Sequence, residues 1–200
     1  MTAREDILSA IRARHVKNAP RPPAYRASDI ANSAEAFAER ARLANAEVRV
    51  IDSESDVPRA IADLLRAKNL PAELHIPPGA PSLPWTDAPS LTLKQAAPGP
   101  DDAALAFAPF GIAETGTLAY AAGLNAPASW HFRAGFEIAV VRAADILPHM
   151  EGVLARVKAV GALSSTLNFV TGPSRTGDIE QTLELGAHGP KALAILIVKT

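Results

Sequence analysis

Ala192-Leu193-Ala194-Ile195-Leu196-Ile197-Val198 is the stretch that decides the fold. A continuous apolar strand is buried on both faces, which places it inside an α/β sandwich rather than on a half-solvated antiparallel sheet. Upstream, Leu167 to Thr171 is a second apolar, β-branched run and reads as another strand. Between the two runs lies Gly172-Pro173-Ser174-Arg175-Thr176-Gly177-Asp178-Ile179-Glu180, followed by Gly186-Ala187-His188-Gly189-Pro190. The expectation here is a tight polar loop, then a short helix around Ile179 to Leu185.

Towards the amino terminus the pattern alternates between helix and strand. Ile7, Leu8 and Ile11 recur at helical spacing within Arg4 to His15, and Pro20, Pro22 and Pro23 then forbid further helix. One narrow apolar stripe cannot hold such a helix in isolation, so it is expected to dock on its own domain or on another subunit. Asn32, with Glu35 three residues on, caps a second helix bearing Phe37, Ala38, Ala41 and Ala44 on one face. Val48 to Ile51 is a short strand, and Asp56 with Pro58 starts a third helix carrying Val57, Ile61, Leu64 and Leu65. Glu73 to Ile76 is a further strand, which makes this half an alternating unit with parallel strands.

The middle is less regular. Prolines at 81, 84, 89 and 98 mark connecting structure, with Leu91 to Leu93 as a possible strand. Ala104 to Phe107, Thr117 to Tyr120 and Glu137 to Val141 are strand-like and separated by glycine-bearing turns, so part of the sheet is expected to be antiparallel. Asp145 and Pro148 suit the start of a helix on which Ile146, Met150, Val153, Leu154 and Val157 share a face. The division expected is a helix and arm over residues 1–23 and a single α/β domain over 24–200.

Bulk properties narrow the function. Twenty basic residues oppose twenty-one acidic ones with no basic run, which argues against a nucleic-acid footprint. The sequence contains no cysteine, so it offers no disulfide, thiolate metal ligand, iron–sulfur ligand or cysteine nucleophile. No window approaches the roughly 18 apolar residues of a membrane span, and the charged first residues do not form a leader, so the expected compartment is the cytoplasm.

Three constellations can carry chemistry. In the Gly172 to Glu180 loop, Ser174, Arg175 and Thr176 offer donors and Asp178 would cap the following helix; free N–H groups beside a guanidinium suit a phosphate or carboxylate. An ordinary strand-to-helix turn capped by Asp178 accounts for the same residues. In Ala113-Glu114-Thr115-Gly116-Thr117 a carboxylate precedes a turn at a strand entrance, where Glu114 can serve as base, nucleophile or acceptor, or where Glu114 and Thr115 simply satisfy the turn. His188, flanked by Gly186 and Gly189, can reach a cleft or stand exposed. His131, in Ser129-Trp130-His131-Phe132-Arg133, can line a pocket or pack on the body. The remaining histidines lack metal-ligand spacing, so no metal site is expected.

In this order the three motifs resemble the LUD domain of the lactate-utilisation protein C family. The resemblance implies an α/β fold with a mixed, mostly parallel, three-layer-like sheet of the sugar-phosphate isomerase and CoA-transferase-like type. It also implies an accessory role in oxidising L-lactate to pyruvate alongside two iron–sulfur partner proteins, which would carry the clusters, while this chain holds no cofactor. The implied site has Glu114 and His188 as proton-handling residues, with Thr115, Gly116, Thr117, Ser174, Arg175, Thr176, Asp178 and His131 around a small anionic ligand. One departure stands out: where family members carry Asn-Phe-Leu-Pro-x-x-His-Ile, this chain has Ala134 and Glu137 in place of the Pro and His. The family histidine's role is then lost, altered or taken by His131. Two other readings of the same residues are a stand-alone isomerase- or transferase-like enzyme for a phosphorylated or carboxylated metabolite, and a noncatalytic scaffold.

Overall fold

The terminal apolar run lies in the interior of the sheet, between two strands parallel to it. The computed structural model describes residues 2–14, 23, 29–123, 127–159, 166–179, 182–186 and 188–200. The chain runs through α1 (Ala3–Ala13), α2 (Ser33–Leu43), β1 (Glu47–Ile51), α3 (Val57–Ala67), β2 (Glu73–His75), β3 (Thr92–Lys94), β4 (Ala103–Phe107), β5 (Phe110–Ile112) and β6 (Thr117–Ala121). It continues through α4 (Ala128–Phe132), β7 (Phe136–Arg142), β8 (Ile146–Leu147), α5 (Met150–Ala159), β9 (Leu167–Val170), β10 (Arg175–Ile179), β11 (Thr182–Leu185) and β12 (Ala192–Val198).

Six strands form the central sheet in the order β1-β12-β7-β4-β2-β3, every neighbouring pair parallel. Alternation along β7 and β12 divides the core in two. Ile138, Val140, Ala194, Leu196 and Val198 join the α3 residues Val57, Ile61, Leu64 and Leu65 on one face. Ala139, Val141, Leu193, Ile195 and Ile197 pack on the other against Phe37, Ala38 and Ala41 of α2 and Leu118 and Tyr120 of β6. Both faces of β12 are therefore covered, which is why it needs no polar positions. The antiparallel pairing expected in the middle of the chain is a separate sheet, β8-β5-β6-β9, in which β5–β6 and β6–β9 are antiparallel and β5–β8 parallel.

The two amino-terminal helices carry the caps their sequences suggest. Asn32 Oδ1 accepts from the Glu35 N–H at 3.2 Å, and the Thr2 side chain and Glu5 form a reciprocal capping box at α1. Docking of α1 on its own domain is not what the structure shows: Ile7 and Ile11 are each 60% exposed and none of its residues is buried. The arm prolines Pro20 and Pro22 lie outside the described residues.

Two expected helices are corrected. The helix after Asp145 starts only at Met150, because Ile146 and Leu147 pair with Gly111 and Ile112 as β8. Val153 and Val157 are its buried positions, while Met150 and Leu154 are exposed. The expected helix at Ile179 to Leu185 is a hairpin: β10 and β11 pair antiparallel, Arg175 with Leu185, Thr176 with Glu184 and Ile179 with Thr182. Gly177 lies where the register shifts, between Thr176 and Ile179. A glycine and several β-branched residues disfavour helix, and Thr182-Leu183-Glu184-Leu185 has the period-two alternation of a strand.

Candidate functional site

Without a helix after Ser174 there is no helix amino terminus at this loop, and the expected strand-to-helix turn is corrected to a strand-to-hairpin connection. Asp178 lies on β10, not at a helix cap; the side chains of Thr176 and Asp178 lie outside the described part of the structure. Backbone donors from both motifs hold the two together. Ser174 N–H donates to the Pro190 carbonyl at 2.9 Å and Gly186 N–H to the Ser174 carbonyl at 3.2 Å. His188 N–H donates to Ser174 Oγ at 3.2 Å. Ser174 is thus the clasp between the Gly172 and His188 motifs.

That clasp forms one wall of a cleft of about 500 Å³, bordered by Thr171 to Arg175, His188 to Pro190, Phe132 and His131. These segments lead into β7 and β12 or leave β9, so the cleft sits at the amino-terminal ends of the neighbouring strands β7 and β12. Arg175 and His188 are exposed at its rim. Of the expected residues, the structure brings together Ser174, Arg175, His188 and His131.

Glu114 is not among the residues that border this cleft. Its Oε2 lies 3.2 Å from His149 Nδ1, and its N–H donates to the Pro148 carbonyl at 3.1 Å. Thr115 and Thr117 share a hydroxyl hydrogen bond of 2.6 Å, and Thr117 reaches Thr171 on the cleft wall at 2.7 Å. The motif glycines serve close packing. Gly116 and Gly172 have φ of +68° and +69°, and a Cβ on them would stand 2.3 Å from Ala41 N and 2.1 Å from the Ala44 carbonyl oxygen. Both motifs therefore press against the carboxyl end of α2, a role that only glycine's lack of Cβ allows.

Beneath the cleft lies a cluster that the motif reading only partly anticipated. His131 is completely shielded from solvent; its ring stacks on Tyr120 with centroids 4.2 Å apart, and Phe132 stands edge-on to it at 5.3 Å. Tyr120 O–H donates to Glu137 Oε1 at 2.7 Å, with both side chains fully buried. Burial, only partly offset by the Tyr120 hydrogen bond, pushes the Glu137 carboxyl up to about 8, and burial lowers His131 to about 4. Desolvation, then the nearby Glu137, raises the Tyr120 hydroxyl well above its ordinary value. At neutral pH the whole cluster is thus predominantly uncharged. Four buried side-chain atoms lack a hydrogen-bond partner among the described residues, and three are here: both His131 ring nitrogens and Glu137 Oε2.

A larger groove, about 620 Å³, lies at the opposite end of the strands, bordered by Gly79, Pro81, Phe107, Pro109, Val140 and Arg142 among others. It sits at the carboxyl ends of β4 and β7, the end of a parallel sheet at which ligands usually bind. Its Arg142 is already held by Glu54 at 2.7 Å. It contains none of the motif residues and none of the orphaned polar atoms, which is why the smaller cleft is the stronger candidate. No group of three or more potential metal ligands occurs among the described residues.

A parallel sheet, a helical layer on one face and a second sheet with α2 on the other define an α/β domain that carries a motif-lined cleft. Residues 101–198 match the LUD domain. It is 33% identical over 98 residues to lactate utilization protein C of Geobacillus kaustophilus, covering 47% of this chain and 41% of the relative. The corresponding protein of Bacillus subtilis is 31% identical over 98 residues, with the same shares. The matched region thus spans about two fifths of the length of these relatives. Over a longer reach, 84% of this chain superposes on 97% of the crystal structure of a DUF162 family protein from Deinococcus radiodurans, with a TM-score of 0.63 and 23% identity. That likeness establishes the fold.

Proposed function

We propose that this chain is an accessory component of a lactate-utilisation system and binds a small carboxylate in the cleft between the Gly172 and His188 motifs. The observation that carries the reading is the Ser174 clasp, which joins two motifs distant in sequence into one wall with Arg175 and His188 at its rim. Arg175 supplies the charge for a carboxylate, and among the described residues it has no ion-pair partner. Kinship with lactate utilization protein C supports the system, and with no cysteine in this sequence an iron–sulfur cluster would be carried by partner proteins. In this arrangement two iron–sulfur partners carry the electrons from lactate while this chain holds or presents the organic acid.

The deciding experiment adds the purified chain to its iron–sulfur neighbours and follows lactate-dependent dye reduction. The expected outcome is a faster rate with the chain present, lost with Arg175→Ala. Equal rates with and without the chain would remove the reading.

A further inference from the structure

Two neighbouring parallel strands leave the central sheet at the same end. β4 passes through Pro109 into β5, β7 passes through the Ala143–Asp145 turn into β8, and β5 and β8 pair again in the second sheet. The groove of about 620 Å³ is bordered by both crossings, with Phe107 to Phe110 on one and Val140, Arg142 and Asp145 on the other. Much of its wall is hydrocarbon: Phe107, Pro109 and Phe110 stand half-buried along it. Neither Pro109 nor Pro81 across from it has an N–H to offer a ligand. The charges in the groove do not balance. Arg142 Nε and Nη2 both reach Glu54 Oε1, each at 2.7 Å, so Glu54 Oε2 is not committed to the guanidinium. Asp145 is a second acid acting on the same guanidinium, which Glu54 foremost and then Asp145 hold above its usual range. Among the described residues Asp145 itself has no ion-pair partner. One guanidinium against two carboxylates leaves the groove with a negative charge in excess.

We propose that this groove is a second binding site and takes an organic cation: a primary amine with an aromatic or branched hydrocarbon body, its ammonium at Asp145 and Glu54 Oε2, its body against Phe107 and Phe110. The site shares no residue with the cleft at the amino-terminal ends of β7 and β12. An ammonium supplies the positive charge that Arg142 alone does not, and the two phenyl faces add cation–π attraction. An anion would have to take Arg142 from Glu54 and then face Asp145. A neutral body would cover the Asp145 carboxylate without replacing its water. Asp145 and Glu54 are only half-buried, so an ion pair there is worth little by itself, and contact of the hydrocarbon body with the two rings supplies the rest.

Calorimetric titration of the full chain with phenethylamine, phenethyl alcohol and ethylamine tests this. The alcohol keeps the ring and chain without the charge, and ethylamine keeps the ammonium without the ring. Phenethylamine is expected to bind about tenfold or more tightly than either, as a charge-assisted hydrogen bond and the burial of a ring each imply. Asp145→Asn, which keeps the shape of the side chain, should weaken phenethylamine by about tenfold and bring it close to the alcohol. A measurement independent of variants accompanies these: in wild-type protein the ring protons of bound phenethylamine should show nuclear Overhauser contacts to the Phe107 and Phe110 rings. Failure of phenethylamine to bind, equal binding of the alcohol or of ethylamine, unchanged binding in folded Asp145→Asn protein, or ring contacts elsewhere in the molecule would each overturn the inference. None of these probes carries a carboxylate, so their outcome leaves the reading of the cleft untouched.

Discussion

Glu137 sits in a central parallel strand, where a carboxylate would ordinarily be excluded, and its proton is what makes the position tolerable. Folding raises its carboxyl from the ordinary range to about 8, so the folded chain binds this proton more tightly than the unfolded chain does. Linkage then fixes the sign: the stabilisation present at low pH is lost as pH rises from the usual carboxylate range through about 8. Tyr120 is the titratable group bonded to it and His131 stacks on that phenol, and neither is charged in that window. Glu137→Gln, which copies the neutral carboxyl and still accepts from Tyr120, is expected to melt near wild type at pH 5. At pH 8.5 it should melt higher by roughly 4 °C or more, a few kcal/mol being worth several degrees at this chain length. Thermal melts across pH check this, and parallel wild-type and variant curves would refute a protonated Glu137. The sequence marked this residue as a departure from the family pattern and named His131 as a pocket candidate. It could not show that Tyr120 joins them, because their contact depends on three elements meeting.

Between the residue and the fold, the telling element is α2, clamped at its carboxyl end by two motif glycines. The Glu114-Thr-Gly-Thr turn and the Gly172 loop carry residue types suited to chemistry, and much of their content is packing: Gly116 meets Ala41 and Gly172 meets Ala44 through the space a side chain would fill. Gly116→Ala and Gly172→Ala should each lower the melting temperature by about 5 °C or more, combining left-handed strain with a backbone collision. Gly123→Ala is the control, since a Cβ there would meet nothing closer than 4.0 Å, and it should change the melting temperature by less than about 2 °C. Losses equal to the control's would show that α2 yields easily. The hairpin β10–β11 teaches a related lesson. Its alternating Thr-Leu-Glu-Leu run was legible, but Asp178 before Ile179 also fits a helix cap, and only pairing with a partner strand decides between them.

Across the whole molecule, α1 stands apart from the core that the other elements share. With Ile7 and Ile11 exposed and no residue buried, it contributes little to the stability of the body. Removing residues 1–14 should therefore shift the melting temperature by less than about 2 °C. A larger fall would mean that α1 packs on the body in solution. What the sequence by itself determined was the alternation of apolar helices and strands, the doubly buried carboxyl-terminal strand and the identity of the motif residues, because side-chain period and composition are local properties. Tertiary structure alone decided that β10 and β11 pair, that Glu114 turns to His149 while His188 joins Ser174, and that an uncharged Tyr120–His131–Glu137 cluster lies beneath the cleft. The physical reason is that hydrogen-bond partners and desolvation are set by residues far apart in the chain, and no local pattern records which of them will meet.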